Sequence, residues 1–198
     1  GHPVEVIRHS VNRGYGRSLQ DMFRWAGVDH FDWLITMDCD EQHEPASIPR
    51  FVEAIYEDDA DIISGSRYLE FHPENDMPPK ERQFINRQVT EELNEVLNYS
   101  ITDAFCGFKA YRVSTLGTYA FDVNGYAFPM QFWVQTAVRS LRVREIPVRL
   151  IYNDPNRSFG ATLDDPTKRL DHYRSVLHSE LGRHESNCLN TEATSPCS

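Results

Sequence analysis

Residues 33–45 read WLITMDCDEQHEP, an apolar run that stops abruptly at Asp38, Cys39, Asp40 and Glu41. The run has the length and composition of a buried strand, so the acidic residues fall at its C-terminal end. In parallel α/β sheets, ligands bind at that end of the strands. Asp38 and Asp40 are two residues apart and project to the same side of an extended segment; Gln42 shares their parity. Hard oxygen donors grouped in this way suit Mg²⁺ or Mn²⁺, ions that keep coordination positions open for substrate phosphates. Alone, the acidic pair reads equally well as a helix cap or a solvated turn.

Working outward, apolar periodicity predicts extended segments at 4–7, 33–37 and 61–64 and helices at 17–25 and 48–56. A longer helix follows at 81–97, with Ile85, Val89, Leu93, Val96 and Leu97 on one stripe. Then come a short strand at 108–111, a helix at 131–141, a strand at 145–151 and a helix at 168–181. Alternation of this kind implies an α/β fold with a mostly parallel sheet covered by helices. FHPENDMPP (71–79) and the Asn-, Asp- and Pro-rich 153–165 read as loops long enough to be functional. From Gly182 to Ser198 apolar residues nearly vanish, which predicts a disordered polar tail after a domain spanning 1–181.

A chain of 198 residues, 40% hydrophobic and 12% aromatic, has material for one core. Apolar runs such as 33–37 fall far short of the roughly 18 residues of a membrane helix. A net charge of -10 argues against nucleic-acid binding, which needs clustered cations, and against broad docking on anionic lipid. Cys39, Cys106, Cys188 and Cys197 form no CxxC pair and no framework spacing, so neither zinc nor a disulfide scaffold is expected and a reducing, cytoplasmic setting fits best. The polar opening, without Met, reads as a cut start rather than a signal peptide.

NRGYGRSL (12–19), MDCDEQHEP (37–45) and ISGSRY (63–68), in this order, resemble the family 2 glycosyltransferases of the GT-A fold. DAFCGFKAYR (103–112), GYAFPMQ (125–131) and EIPVRL (145–150) carry the resemblance towards the polyprenol-phosphate hexosyltransferases, such as the dolichol-phosphate mannose synthases. It covers residues 4–173 and implies the three-layer GT-A fold, with a mixed, mostly parallel sheet. The resemblance implies a metal-dependent transferase of mannose or glucose from a GDP- or UDP-linked sugar to a polyprenol phosphate, with inversion at the anomeric carbon.

By the same resemblance, Asp40 and Gln42 hold the Mg²⁺ or Mn²⁺ that bridges the donor diphosphate, and Asp38 faces the ribose or supports the metal through water. Arg67, after a strand expected beside the first, would meet the phosphates with a bidentate fork or, alternatively, pair with a carboxylate. Asn12, Gly14 and Gly16 lie in a loop before a helix and suit either an anion or a plain helix cap. Arg82 with Asn86, which replaces the family's Ser, resembles the pattern that serves the acceptor phosphate, and Arg157 with Gly160 resembles that of a late loop that closes over both phosphates. Gln131 stands where a general base is expected. A phosphate monoester, with a second pKa of about 6, needs no base, so this points to a lipid-phosphate acceptor.

His43 reads more readily as a structural or capping residue than as a metal ligand. Cys39 and Cys106 read as small buried fillers, and Tyr126, Phe128, Phe132 and Trp133 as core. The sequence departs from the family in lacking the opening strand and helix that cradle the base, in having Thr162 and Leu163 where a lysine is usual, and in having Lys109 where the family has arginine. Three other readings stay open: a soluble acceptor, a non-catalytic relative that binds lipid phosphate or a partner, and a nucleotidyltransferase. A lipid acceptor also implies peripheral membrane contact at a cytoplasmic face, with the apolar stripe of 81–97 as the contacting surface.

Overall fold

A computed structural model describes residues 4–71, 73–153 and 158–192. Four strands, β1 (Trp33–Thr36), β2 (Ile62–Ser66), β3 (Lys109–Arg112) and β4 (Val143–Pro147), form one sheet in the order β1-β3-β2-β4. β2 and β4 pair in parallel, Ile62 opposite Val143 and Ser66 opposite Pro147. β3 runs antiparallel to both its neighbours, so Lys109 lies opposite Thr36 on one side and Ser64 on the other. Three strands therefore point one way and β3 the other. The α/β class and the mixed sheet are as expected, but β2 does not lie beside β1. β3 separates them because Phe108, Ala110 and Tyr111 are all buried, and only a central strand covers both of its faces.

Strand alternation sends neighbouring side chains into two cores. On one face, α2 (Ile48–Tyr56) packs Phe51 and Ala54 against Ile63, Phe108, Ala110 and Ile146. Phe51 and Phe108 stack with ring centres 4.4 Å apart. On the other face lie α1 (Tyr15–Val28), α3 (Lys80–Leu97), α5 (Phe128–Val138) and α6 (Pro166–Glu192), joined to Ile62 and Tyr111 through Phe23, Leu93, Phe132, Trp133 and Leu177. The short α4 (Val113–Leu116) turns the chain out of β3. α1 spaces Leu19, Phe23 and Ala26 along one buried face. α3 ends at Asn98, whose left-handed backbone closes the helix.

Three expectations are corrected here. Residues 4–7 form no strand: Val4, Val6 and Ile7 pair with nothing in the sheet and stand exposed. Most of the stripe on α3 is turned away from any membrane, since Ile85, Val89 and Leu93 are buried in the core and only its end, at Val96, is exposed; truncating Leu93 to Ala is expected to cost about 2–5 kcal/mol. The last helix continues past Gly182 to Glu192, where a disordered tail was expected. Arg183 reaches Asp122 at 3.0 Å, and His184 reaches the buried Glu180 at 3.3 Å. Residues 193–198, Cys197 among them, lie outside the described residues.

β1, β2 and β4 all end at one edge of the sheet, and the chain enters β3 from that same edge. Side chains from four strand ends thus meet in one place.

Candidate active site

A cavity of about 700 Å³ opens at this edge. Of the residues singled out from sequence, it gathers Asn12, Gly14, Asp38, Asp40, Gln42, Arg67, Arg82 and Asn86 in its walls. Gly16 is not a wall: it is buried, and a side chain there would strike Val123 and Phe128. Arg157 lies outside the described residues.

The acidic turn is tied from both sides. Thr36 Oγ1 donates to the Gly107 carbonyl at 2.8 Å, which joins the end of β1 to the entry of β3. The Asp38 backbone N–H donates to His43 Nδ1 at 3.0 Å, and the Gln42 N–H donates to Asp40 Oδ1 at 3.2 Å. Glu41, with a φ of 62°, makes the sharp bend between them. Burial lowers the His43 pKa to about 4, helped by the nearby Arg67 charge. The ring is therefore neutral, with its proton on Nε2, and holds the turn in shape, the structural role expected of it. Gly107 is required by close approach, for a Cβ there would stand 2.5 Å from Asp38 Oδ2.

Asp38 and Asp40 are half-buried, and the turn offers oxygen donors: two carboxylates and the Gln42 amide. Among the described residues no three His, Cys, Asp or Glu side chains cluster as a complete metal cage. An octahedral, oxygen-seeking ion that takes its remaining ligands from water and phosphate fits such a set, whereas zinc does not.

The N-terminal loop is organised by its own contacts. Asn12 Oδ1 accepts the Gly14 N–H at 2.9 Å, and Asn124 O accepts the Arg17 N–H at 3.2 Å. Asn12 thus closes a turn just ahead of α1, whose N-cap Gly14 has no side-chain cap hydrogen bond and is needed for its φ of 92°.

Arg67 closes its fork on Asp103, Nε at 2.6 Å from Oδ2 and Nη2 at 2.9 Å from Oδ1. The carboxylate pairing, left open in the sequence, is thus the one realised, and Arg67 adds charge to the wall without presenting its fork to a phosphate. Burial of Asp103 would raise its pKa, but the Arg67 charge and the hydrogen bonds from Arg67 and Asn86 bring it down to about 2. Asn86, expected at an acceptor, donates to Asp103 at 2.9 Å and accepts from Thr90 at 3.1 Å. Lys109 is buried beneath, its Nζ bonded to the Cys106 carbonyl and 5.3 Å from the Trp133 ring centre.

Arg82 is placed differently. Its guanidinium lies 5.4 Å over Tyr152 and 4.8 Å over Phe159. Arg169 approaches Phe159 at the same 4.8 Å, is 3% exposed, and bonds to the Leu163 carbonyl and to Glu81. Arg169 and Tyr173, one helical turn apart on α6, both line the cavity, as do Tyr15, Tyr126, Tyr152 and Phe159. Sequence reading missed most of these. An Arg and a Tyr at i and i+4 share a helix face, which was the available signal for the pair on α6.

Other expectations change. Gln131 is fully buried and is not a wall of the cavity: its Oε1 accepts the Asp122 and Val123 N–H groups, and its Nε2 donates to Asp122 and Glu180. It therefore does not stand in a general-base position. Among the described walls the only carboxylates are Asp38 and Asp40. Cys39 is exposed, while Cys106 is the expected buried filler. Tyr126 is partly exposed and stacks towards Tyr15, whereas Phe128, Phe132 and Trp133 are core.

With the acidic strand end, the GSR arginine and the entry to β3 in one cavity, comparison with known proteins is decisive. The model of glycosyl transferase family 2 matches residues 1–119. The chain belongs to glycosyl transferase family 2. This family 2 chain is 29% identical over 160 residues to an undecaprenyl-phosphate mannosyltransferase of Micrococcus luteus, covering 78% of itself and 64% of that protein. Over 68 residues it is 40% identical to a dolichol-phosphate mannosyltransferase of Pyrococcus furiosus, covering 34% of itself and 18% of that protein. The chain thus spans less than two thirds of these relatives' length. In fold it is similar to the glucosyl-3-phosphoglycerate synthase of Mycobacterium tuberculosis, at a TM-score of 0.65 with 16% identity over 88% of this chain and 57% of that one. That synthase has also been crystallised with Mn²⁺, uridine-diphosphate-glucose and phosphoglyceric acid, a structure matched at a TM-score of 0.60 with 17% identity over 88% of this chain and 57% of that one.

Proposed function

We propose that this family 2 chain transfers a hexose, mannose or glucose, from a nucleoside diphosphate sugar to a polyprenol phosphate, inverting the anomeric carbon. The observation that supports it is the division of one cavity into an acidic turn, Asp38 to Gln42, and walls that carry Arg13, Arg67, Arg82 and Arg169. The acidic turn suits the donor. Asp40 and Gln42, with Asp38 beside them, are the donor atoms for a Mg²⁺ or Mn²⁺ ion, which when bound supplies positive charge to the departing diphosphate.

The cationic walls suit an acceptor that is itself an anion. One phosphate oxygen attacks the anomeric carbon as the bond to the nucleoside diphosphate breaks, and no proton has to be removed from the attacking group. A hydroxyl acceptor would need a base, and no third carboxylate stands among the described walls. Arg82 orients the acceptor phosphate, and Arg67, its charge matched by Asp103, fixes the wall between the two anions. The lipid part of the acceptor places the chain against the cytoplasmic face of a membrane. Among the described residues no helix is long and apolar enough to cross one.

The test is a transfer assay with radiolabelled GDP-mannose or UDP-glucose, Mn²⁺ and a polyprenyl phosphate, extracted into organic solvent. Label entering the solvent phase with wild type and not with Asp40→Ala supports the reading. Label that stays in the aqueous phase with every lipid phosphate, or that appears only on a soluble acceptor, sinks it.

A further inference from the structure

Among the described residues, two buried side-chain polar atoms have no hydrogen-bond partner, the hydroxyls of Tyr99 and Tyr152. A donor left unpaired in the interior costs folding free energy, so each calls for an explanation. Tyr99 packs on Trp133, ring centres 6.0 Å apart, away from the cavity. Tyr152 is a wall of the cavity.

The Tyr152 backbone is pinned. Its N–H donates to Asp76 Oδ2 at 2.8 Å, the Asp76 N–H donates to the Leu150 carbonyl at 2.9 Å, and the Leu150 N–H donates to Asn75 Oδ1 at 2.9 Å. The ring is thus held in place without any bond from its hydroxyl. Over it lies the Arg82 guanidinium. The hydroxyl without a partner is thus a donor beside a cation, and a group with several negative oxygens can take a hydrogen bond from the one while it meets the charge of the other.

We propose that the Tyr152 hydroxyl is a ligand-binding group, donating a hydrogen bond to a phosphate oxygen held by Arg82. This rests on the reading of the cavity as a phosphate-transfer site. The hydroxyl is closed to solvent in this conformation, so the cavity wall at Tyr152 must open as the phosphate enters. Two sources share this chemistry, the diphosphate of the donor and the monophosphate of the acceptor.

Tyr152→Phe removes the hydroxyl and nothing else, and Tyr99→Phe makes the same change away from the cavity. Calorimetric titrations of the chain with inorganic phosphate, farnesyl phosphate, GDP and UDP compare the two with wild type. The expected result is about tenfold weaker binding of inorganic phosphate and of one ligand class by Tyr152→Phe, with Tyr99→Phe unchanged and neither variant less stable to urea. Loss confined to farnesyl phosphate assigns the hydroxyl to the acceptor, and loss confined to GDP or UDP to the donor. Unaltered affinity for every probe, no binding by wild type, or a stability loss specific to Tyr152→Phe overturns the proposal. Weakened phosphate binding in a chain that transfers no sugar to lipid phosphate refutes the reading above and leaves the hydroxyl's role standing.

Discussion

Asp38 donates its backbone N–H to Nδ1 of His43 across 3.0 Å, so a neutral imidazole holds the turn that carries both candidate metal carboxylates. Burial brings the His43 pKa down from 6.5 to about 4. The unfolded chain takes up a proton at this residue near pH 6.5 while the folded chain refuses it until about pH 4. The stability linked to it is complete above pH 6.5 and is lost as pH falls towards 4, on the order of 3 kcal/mol in all. Urea unfolding of wild type and His43→Asn at pH 7 and pH 5 checks this. Asn retains a hydrogen-bond acceptor but does not titrate, so its acid loss is expected to be distinctly smaller.

Gly107→Ala is expected to separate activity from stability. The new methyl group meets the far end of the Asp38 side chain, 2.5 Å away, and pushes that carboxylate from its place rather than moving backbone. The melting temperature should fall by no more than a few degrees, since the cost is about 1 kcal/mol. Mn²⁺-dependent transfer should fall at least tenfold, because the displaced carboxylate sits in the acidic turn. Unchanged transfer would show that the position of Asp38 is immaterial.

Asp103 and Arg67 form a buried ion pair whose disruption is asymmetric. Asp103→Asn leaves the Arg67 guanidinium without its counter-charge and should cost about 3–5 kcal/mol, measured by denaturant unfolding. Arg67→Met with Asp103→Leu removes both charges and should cost less than either single change, apart from the partners lost by Asn86. A double variant as unstable as the sum of the singles would contradict this account.

Gln131→Glu tests the correction at α5. If this residue faced the reacting groups, the new carboxylate would leave the fold intact and favour hydroxyl acceptors. The structure instead sets it against Glu180 and Asp122 in a site with no solvent exposure. The expected result is a loss of about 3 kcal/mol with no new acceptor specificity, seen by thermal unfolding and by assay with free sugars.

The acidic turn was legible because its information is local: an apolar run, then alternating oxygen donors, leaves little choice about where the strand ends. α2 was legible for the same reason, and its predicted span agrees with the structure. Strand order was not legible, since nothing near Trp33 or Ile62 reports that residues 109–112 will come between them. Gln131 misled because a linear motif gives spacing and not direction; on α5 nearly every side chain is buried, so polarity no longer marks the open face. Arg169 and Tyr173 were passed over because they lie far along the chain from the acidic turn and join it only through tertiary packing of α6 on α3 and α5.

The placement of β3 also governs when the acidic turn takes shape during folding. Thr36 is held by Gly107 and Lys109, more than seventy residues later in the chain. Closing so long a loop comes before any reward from the pairing, which slows this step relative to the local helices. A nascent chain that has emerged only as far as α3 lacks the strand on which the turn rests. Divalent-cation binding should therefore arise late in synthesis or refolding, after helical structure is established, and its onset reports that the central strand has docked.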